Sequence, residues 1–159
     1  MLIDSLRNTI PYIKTRMCLF PKIFACLSLK SDSRLIDLGC GDGSVLRYCV
    51  SHIPSLSGYG IEQKLIPYTL AKIACARYPQ ISILRGDFFK IPLSSYSHIY
   101  VYLSADAMSA LESKLVDECG IGTIIISCDF YFPNLRPKYT IDVASPKRPL
   151  GKKLFIYEL

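Results

Sequence analysis

The chain has 159 residues and a mass of 17.9 kDa, with half its residues hydrophobic and 20% charged, which allows one compact domain and excludes a largely disordered chain. Its net charge of +6 is unevenly spread: residues 1–30 carry +4, residues 31–135 carry −2 and residues 136–159 carry +4, so any attraction to RNA phosphates or to an acidic partner is expected at the basic termini. No run reaches the roughly 18 uncharged apolar residues of a membrane span. The start, with Asp4 and Arg7, has no basic stretch leading into a long apolar one, so a cytoplasmic protein with no integral membrane segment and no leader is expected.

In chain order, residues 11–15 read as an extended lead-in to one helix over residues 17–29, whose apolar side chains recur at helical spacing. Residues 34–38, Arg-Leu-Ile-Asp-Leu, form a short apolar run stopped by Gly39, the pattern of a strand buried on both faces. A helix over 43–51, a brief strand over 58–61 and a helix over 65–78 follow, with Pro67 tolerable in the first turn. Strands are predicted over 81–84, 98–103 and 123–132, with a helix over 105–119 ended by Gly120. The last two, 138–144 and 153–157, leave no room for a crossover helix, so they pair antiparallel. The expectation is an α/β fold, a seven-stranded and mostly parallel sheet with an antiparallel C-terminal hairpin and helices on both faces. Residues 1–32 form a lead-in segment and helix, and residues 33–159 the main domain, packed together as one unit.

The seven cysteines include no C-x-x-C pair and the chain has two histidines, so neither a disulfide framework nor a metal site is suggested. The informative stretch is Asp37-Leu38-Gly39-Cys40-Gly41-Asp42-Gly43, between a predicted strand and a predicted helix, where glycines let a ligand approach main-chain N–H groups. Glu62, with Gln63 beside it, ends the second strand 21 residues past Gly41, the place for an acid that accepts from a ribose diol. Asp87 and Phe88 follow the third strand, suited to an adenine amino group and its ring. A pyrophosphate about 4 Å from Asp37 or Asp42 would be repelled by roughly 4 kcal/mol per charge pair at an effective dielectric near 20. A nucleoside carrying positive charge suits these acids better, and S-adenosylmethionine, with its sulfonium and α-amino group, is such a ligand.

Asp-Leu-Gly-Cys-Gly-Asp-Gly, Gly-Tyr-Gly-Ile-Glu and Gly-Asp-Phe-Phe in this order resemble the successive motifs of class I S-adenosylmethionine-dependent methyltransferases, and with them the fold is Rossmann-like. Pro11-Tyr12-Ile13-Lys14-Thr15 and the stretch Phe130 to Pro137 resemble small protein-lysine methyltransferases of the ATP synthase c-subunit and adenine-nucleotide-carrier type and their bacterial relatives. Cys40 stands where that family usually has Ser, and Leu135 where it has Trp. The resemblance implies a cofactor site of Asp37, Gly39, Cys40, Gly41, Asp42, Gly43, Glu62, Gln63, Asp87, Phe88 and Tyr102. Tyr12, Tyr102, Ser104 and Phe132 are the candidate walls of an acceptor pocket, where aromatic faces would hold an ammonium. A protein lysine is the expected acceptor. RNA, a small molecule, or a non-catalytic binding role remain as alternatives.

Overall fold

The computed structural model describes residues 13–145 and 150–159. Seven strands, β1 (Arg34–Leu38), β2 (Ser57–Glu62), β3 (Ile81–Arg85), β4 (His98–Val101), β5 (Ile124–Cys128), β6 (Tyr139–Asp142) and β7 (Lys153–Glu158), form one sheet in the order β3-β2-β1-β4-β5-β7-β6. β1 to β5 are parallel, and β7 runs antiparallel to both β5 and β6. The expected mixed sheet with its C-terminal hairpin is therefore the architecture found.

Helices cover both faces because each central strand is apolar on both sides. α1 (Phe20–Leu27), α2 (Ser44–His52) and α3 (Leu65–Cys75) pack on one face, where Ile23, Leu46 and Ala71 meet Leu35, Tyr100 and Ile126. α4 (Ala105–Glu118) covers the other with Met108, Leu111 and Leu115 against Ile36, Val101 and Ile125. β1 lies between β2 and β4, so the connections leave it in opposite directions and open a crevice at the carboxyl ends of β1 and β4. Register brings Leu38 opposite both Ile61 and Val101, which aligns the three strand tips.

Several predicted boundaries move. The N-terminal helix is split into a 3-10 turn at Met17–Leu19 and α1, and Ser28 stops it in the left-handed region at φ 50°. β4 ends at Val101, not at residue 103, and α3 ends at Cys75, not at residue 78. β5 stops at Cys128, four residues before the predicted end, because its ladder with β7 ends at the Cys128–Leu154 pair and Asp129 turns to φ 63°.

Candidate functional site

The crevice at the strand tips narrows to a slot lined by Ile13, Lys14 and Thr15 on one side and by Asp37, Gly39, Cys40, Gly41 and Asp42 on the other, with Tyr100 and Tyr102 at its base. β1 carries Asp37 into the slot, where it is 4% exposed and no hydrogen bond or ion pair reaches its carboxylate among the described residues. Burial, and then the charges of Glu62 and Asp42, hold its pKa well above the usual carboxylate value. A carboxylate so placed favours any cation that enters.

The glycine loop owes its path to three left-handed glycines, Gly39, Gly41 and Gly43. A Cβ on Gly43 would lie 2.8 Å from Cys75 Sγ, so α2 and α3 approach closely only because that atom is missing. Most of the loop's N–H groups are turned to acceptors within the protein, where the sequence pattern predicts them open to a ligand. Gly39 and Cys40 N–H donate to the Ile61 carbonyl at 2.9 and 3.0 Å, Gly41 N–H to Glu62 Oε2 at 3.0 Å, Gly43 N–H to the Cys40 carbonyl at 2.9 Å and Ser44 N–H to Asp42 Oδ1 at 3.2 Å. With those donors engaged, the slot presents carboxylates, which suits a cation and disfavours a phosphate.

Glu62 ends β2, its second oxygen accepting from Lys64 N–H at 2.8 Å, and an ionised carboxylate retains lone pairs for a diol. Asp42 is bound by Lys14 Nζ at 2.7 Å, a tie from the lead-in segment across the slot. Burial works to raise the Asp42 carboxyl, but the bonds from Lys14 and Ser44 outweigh it and hold it below its ordinary value. Thr15 Oγ1 and the Tyr100 hydroxyl, 2.8 Å apart, fasten the same segment to the base of the slot. Buried Cys40 is kept a neutral thiol, first by burial and then by the Asp37 and Glu62 charges.

Other expected residues are less uniform. Tyr102 lines the slot and donates to Asp129 Oδ2 at 2.6 Å. Asp87 caps the short turn Phe88–Lys90, accepting from Phe89 N–H at 3.0 Å, and Gln63 is exposed beyond Glu62 with its carbonyl 3.4 Å from Arg85 Nε. Ser104 is the N-cap residue of α4 with no side-chain capping bond. Two aromatics are corrected. Phe132, 1% exposed, belongs to the core against Tyr157 at a centroid distance of 5.0 Å, because the early end of β5 turns it under the sheet, away from the slot. Phe88, 8% exposed, joins the same core and stacks on Phe89, leaving its ring little surface for a ligand. Tyr12 lies outside the described residues.

Sequence reasoning missed Asp129 and Glu112. Asp129 accepts from Tyr102 and from the N–H groups of Gly151, Lys152 and Lys153 at 2.6 to 3.2 Å. Glu112, buried on α4, accepts from Asn134 N–H with both oxygens at 3.1 and 2.9 Å. A signal for Glu112 exists: it stands on the apolar stripe Ala107, Met108, Leu111, Leu115, where a charge requires a partner.

The profile of the ANTKMT methyltransferase domain family matches residues 37–139. A protein-lysine N-methyltransferase of Saccharolobus islandicus is 26% identical over 137 residues, covering 84% of this chain and 85% of that protein. The lysine N-methyltransferase of the ATP synthase c-subunit from Mus musculus is 27% identical over 107 residues, 67% of this chain but 43% of that longer protein. Among solved structures, an RNA methyltransferase from Salinibacter ruber in complex with S-adenosyl-L-homocysteine superposes with a TM-score of 0.84 at 20% identity, covering 92% of this chain and 93% of its own, a likeness of fold.

Proposed function

The chain belongs to the ANTKMT methyltransferase domain family and is an S-adenosylmethionine-dependent methyltransferase; on that premise we propose that its acceptor is the side-chain amine of a protein lysine. The observation that carries the acceptor is the likeness to the Saccharolobus islandicus protein-lysine N-methyltransferase, which runs through 84% of this chain and 85% of the relative.

The residues present fit the cofactor. Asp37 is a buried carboxylate with no partner among the described residues, facing a slot where the N–H groups of Gly39, Cys40 and Gly41 are already engaged, and that is a demand for positive charge. Asp37 would hold the α-amino group, Glu62 the ribose hydroxyls and Asp87 the adenine side. When bound, the cofactor supplies a methyl group on a sulfonium that leaves as a neutral thioether. The lead-in segment forms one wall of the slot, tied across it by the Lys14–Asp42 ion pair, which is half-exposed on the lysine side and worth under about 1 kcal/mol.

A lysine attacks only as the neutral amine, so its ammonium first loses a proton to solvent, helped by burial in a dry cleft. The slot walls would hold that amine in line with the methyl group the bound cofactor would supply. Tyr102 is a wall and not a base: burial, and then the Asp129 carboxylate, hold its phenol protonated far above the ordinary range. Fixing amine and methyl group in line can supply about 7 kcal/mol of the barrier. The reading keeps a cytoplasmic address, supported by free cysteines with no disulfide partner among the described residues.

Tritium transfer from labelled S-adenosylmethionine into a host lysate tests the acceptor. The expected label is protease-sensitive, ribonuclease-resistant and recovered as methyl-lysine after hydrolysis. Ribonuclease-sensitive label would give the acceptor to RNA, for which the basic termini are the ground. Cofactor binding without transfer to any acceptor would leave a non-catalytic binding role.

A further inference from the structure

Beyond the cleft, α3 carries an apolar stripe that the fold leaves uncovered. Its inner face is Pro67, Ala71 and Cys75, at intervals of four. On the outer side Ile66, Leu70 and Ile73, at i, i+4 and i+7, are 75%, 51% and 71% exposed, three aliphatic side chains in one row. Isolated exposed aliphatics are ordinary; a helical row of them is an interaction surface.

The charge along the segment that carries the row is of one sign. From Gln63 to Gly86 the sequence has Lys64, Lys72, Arg77 and Arg85 and no Asp or Glu. Lys72 is on α3 itself, Arg77 stands in the turn just past its last residue, Lys64 is the N-cap residue, and Arg85 ends the neighbouring edge strand β3. All four are exposed. A second copy is a poor occupant, since a twofold contact would set these cations against their own images with no acid between them. A protein groove is not required either, because a protruding helical row offers a convex edge and no pocket. Aliphatic side chains at the centre with cations around them match the interface of an anionic bilayer, where the apolar row enters the headgroup boundary and the cations meet phosphates.

We propose that the outer face of α3 is a peripheral docking surface for an anionic lipid bilayer. α3 begins three residues after Glu62, at the carboxyl end of the sheet, so docking brings the rim of the cleft near the lipid surface.

Sedimentation of the full chain with vesicles tests this without any methyl transfer, so its result is independent of the acceptor. The probes are phosphatidylcholine vesicles and vesicles with about a third of the lipid replaced by phosphatidylglycerol. Binding is expected only to the second kind and weakens with salt. Each cation near such a surface is worth about fivefold, so Lys72→Glu/Arg77→Glu is expected to lose 25-fold or more, roughly, and Ile66→Ser/Ile73→Ser about tenfold. Thermal unfolding of each variant must match wild type, which holds for exposed positions. No binding to anionic vesicles, binding unchanged in either variant, or a self-association abolished by Ile66→Ser/Ile73→Ser would each overturn the proposal.

Discussion

The Tyr102 hydroxyl and the Asp129 carboxylate, 27 residues apart in sequence, meet at 2.6 Å and join the tip of β4 to the turn that ends β5. Three N–H groups at the start of β7 complete the clasp, from Gly151 at 2.7 Å, Lys152 at 2.6 Å and Lys153 at 3.2 Å. One carboxylate thus fixes a wall of the slot to the C-terminal hairpin.

Removing that carboxylate is expected to cost about 2 to 4 kcal/mol, read as a lower midpoint in urea for Asp129→Ala. Asp129 sits at φ 63°, which strains alanine, so Asp129→Gly is expected to recover about 1 kcal/mol of the loss. Burial works to raise this carboxyl, but the bonds from Tyr102, Gly151, Lys152 and Lys153 outweigh it and leave its pKa depressed. The unfolded chain therefore binds the proton more tightly, and the stabilisation present above about pH 4 is lost as pH falls through the folded value. An acid limb of equal size in wild type and Asp129→Ala would refute the clasp.

Asp37 has the opposite sign. Its folded pKa is raised by burial and by Glu62 and Asp42, so the native state holds the proton more tightly than the unfolded chain. Its contribution is fully present below about pH 4 and declines as pH rises toward the folded value. Asp37→Asn is expected to be more stable than wild type at pH 7 by about 1 to 3 kcal/mol and to have lost the rise in Tm that S-adenosylmethionine gives the wild type. A variant both less stable and still stabilised by the cofactor would contradict this role.

The strand tips were legible because their signals are local. Gly39, Gly41 and Gly43 mark a left-handed loop, and an acid at or just past the end of an apolar run, as at Glu62 or Asp87, falls near a strand end whatever the rest of the chain does. What was not legible depends on partners distant in sequence. Thr123 to Phe132 reads as one strand by propensity, yet β7 decides where pairing ends, and that put Phe132 in the core. Asp129 falls inside that predicted strand, and its role as an acceptor emerges only when the hairpin returns to it from residue 151. The loop N–H groups were expected to face a ligand, and only the parallel register of β1 with β2 reveals that Ile61 and Glu62 take three of them.

Two glycines separate loop geometry from composition. At Gly43 a side chain meets both φ 70° and Cys75 Sγ at 2.8 Å, whereas around Gly86 no atom lies within 4 Å of an added Cβ. Gly43→Ala is expected to cost about 2 to 3 kcal/mol and to weaken cofactor binding in calorimetry, as α2 is pushed from α3. Gly86→Ala, also near a strand tip, is expected to change stability by less than about 0.5 kcal/mol. Equal effects at both positions would mean that the close approach at Gly43 does not shape the slot.

Glu112 governs the loop after β5 from the opposite side. It lies on the buried stripe of α4, and both its oxygens accept from the Asn134 N–H, which holds the segment following Phe132 against the helix. Glu112→Ala leaves that N–H without its acceptor and opens a void beneath the loop, a loss of about 1 to 3 kcal/mol. Glu112→Gln retains an amide oxygen that can accept the same bond and is expected to keep most of the stability. Since the loop adjoins the Asp129 clasp, which holds Tyr102 and not Asp37, the alanine variant is expected to raise KM for the methyl acceptor several-fold and to weaken cofactor binding less. Steady-state kinetics with each substrate varied in turn distinguishes these effects. A loss confined to cofactor binding would show that the loop belongs to the donor side of the cleft.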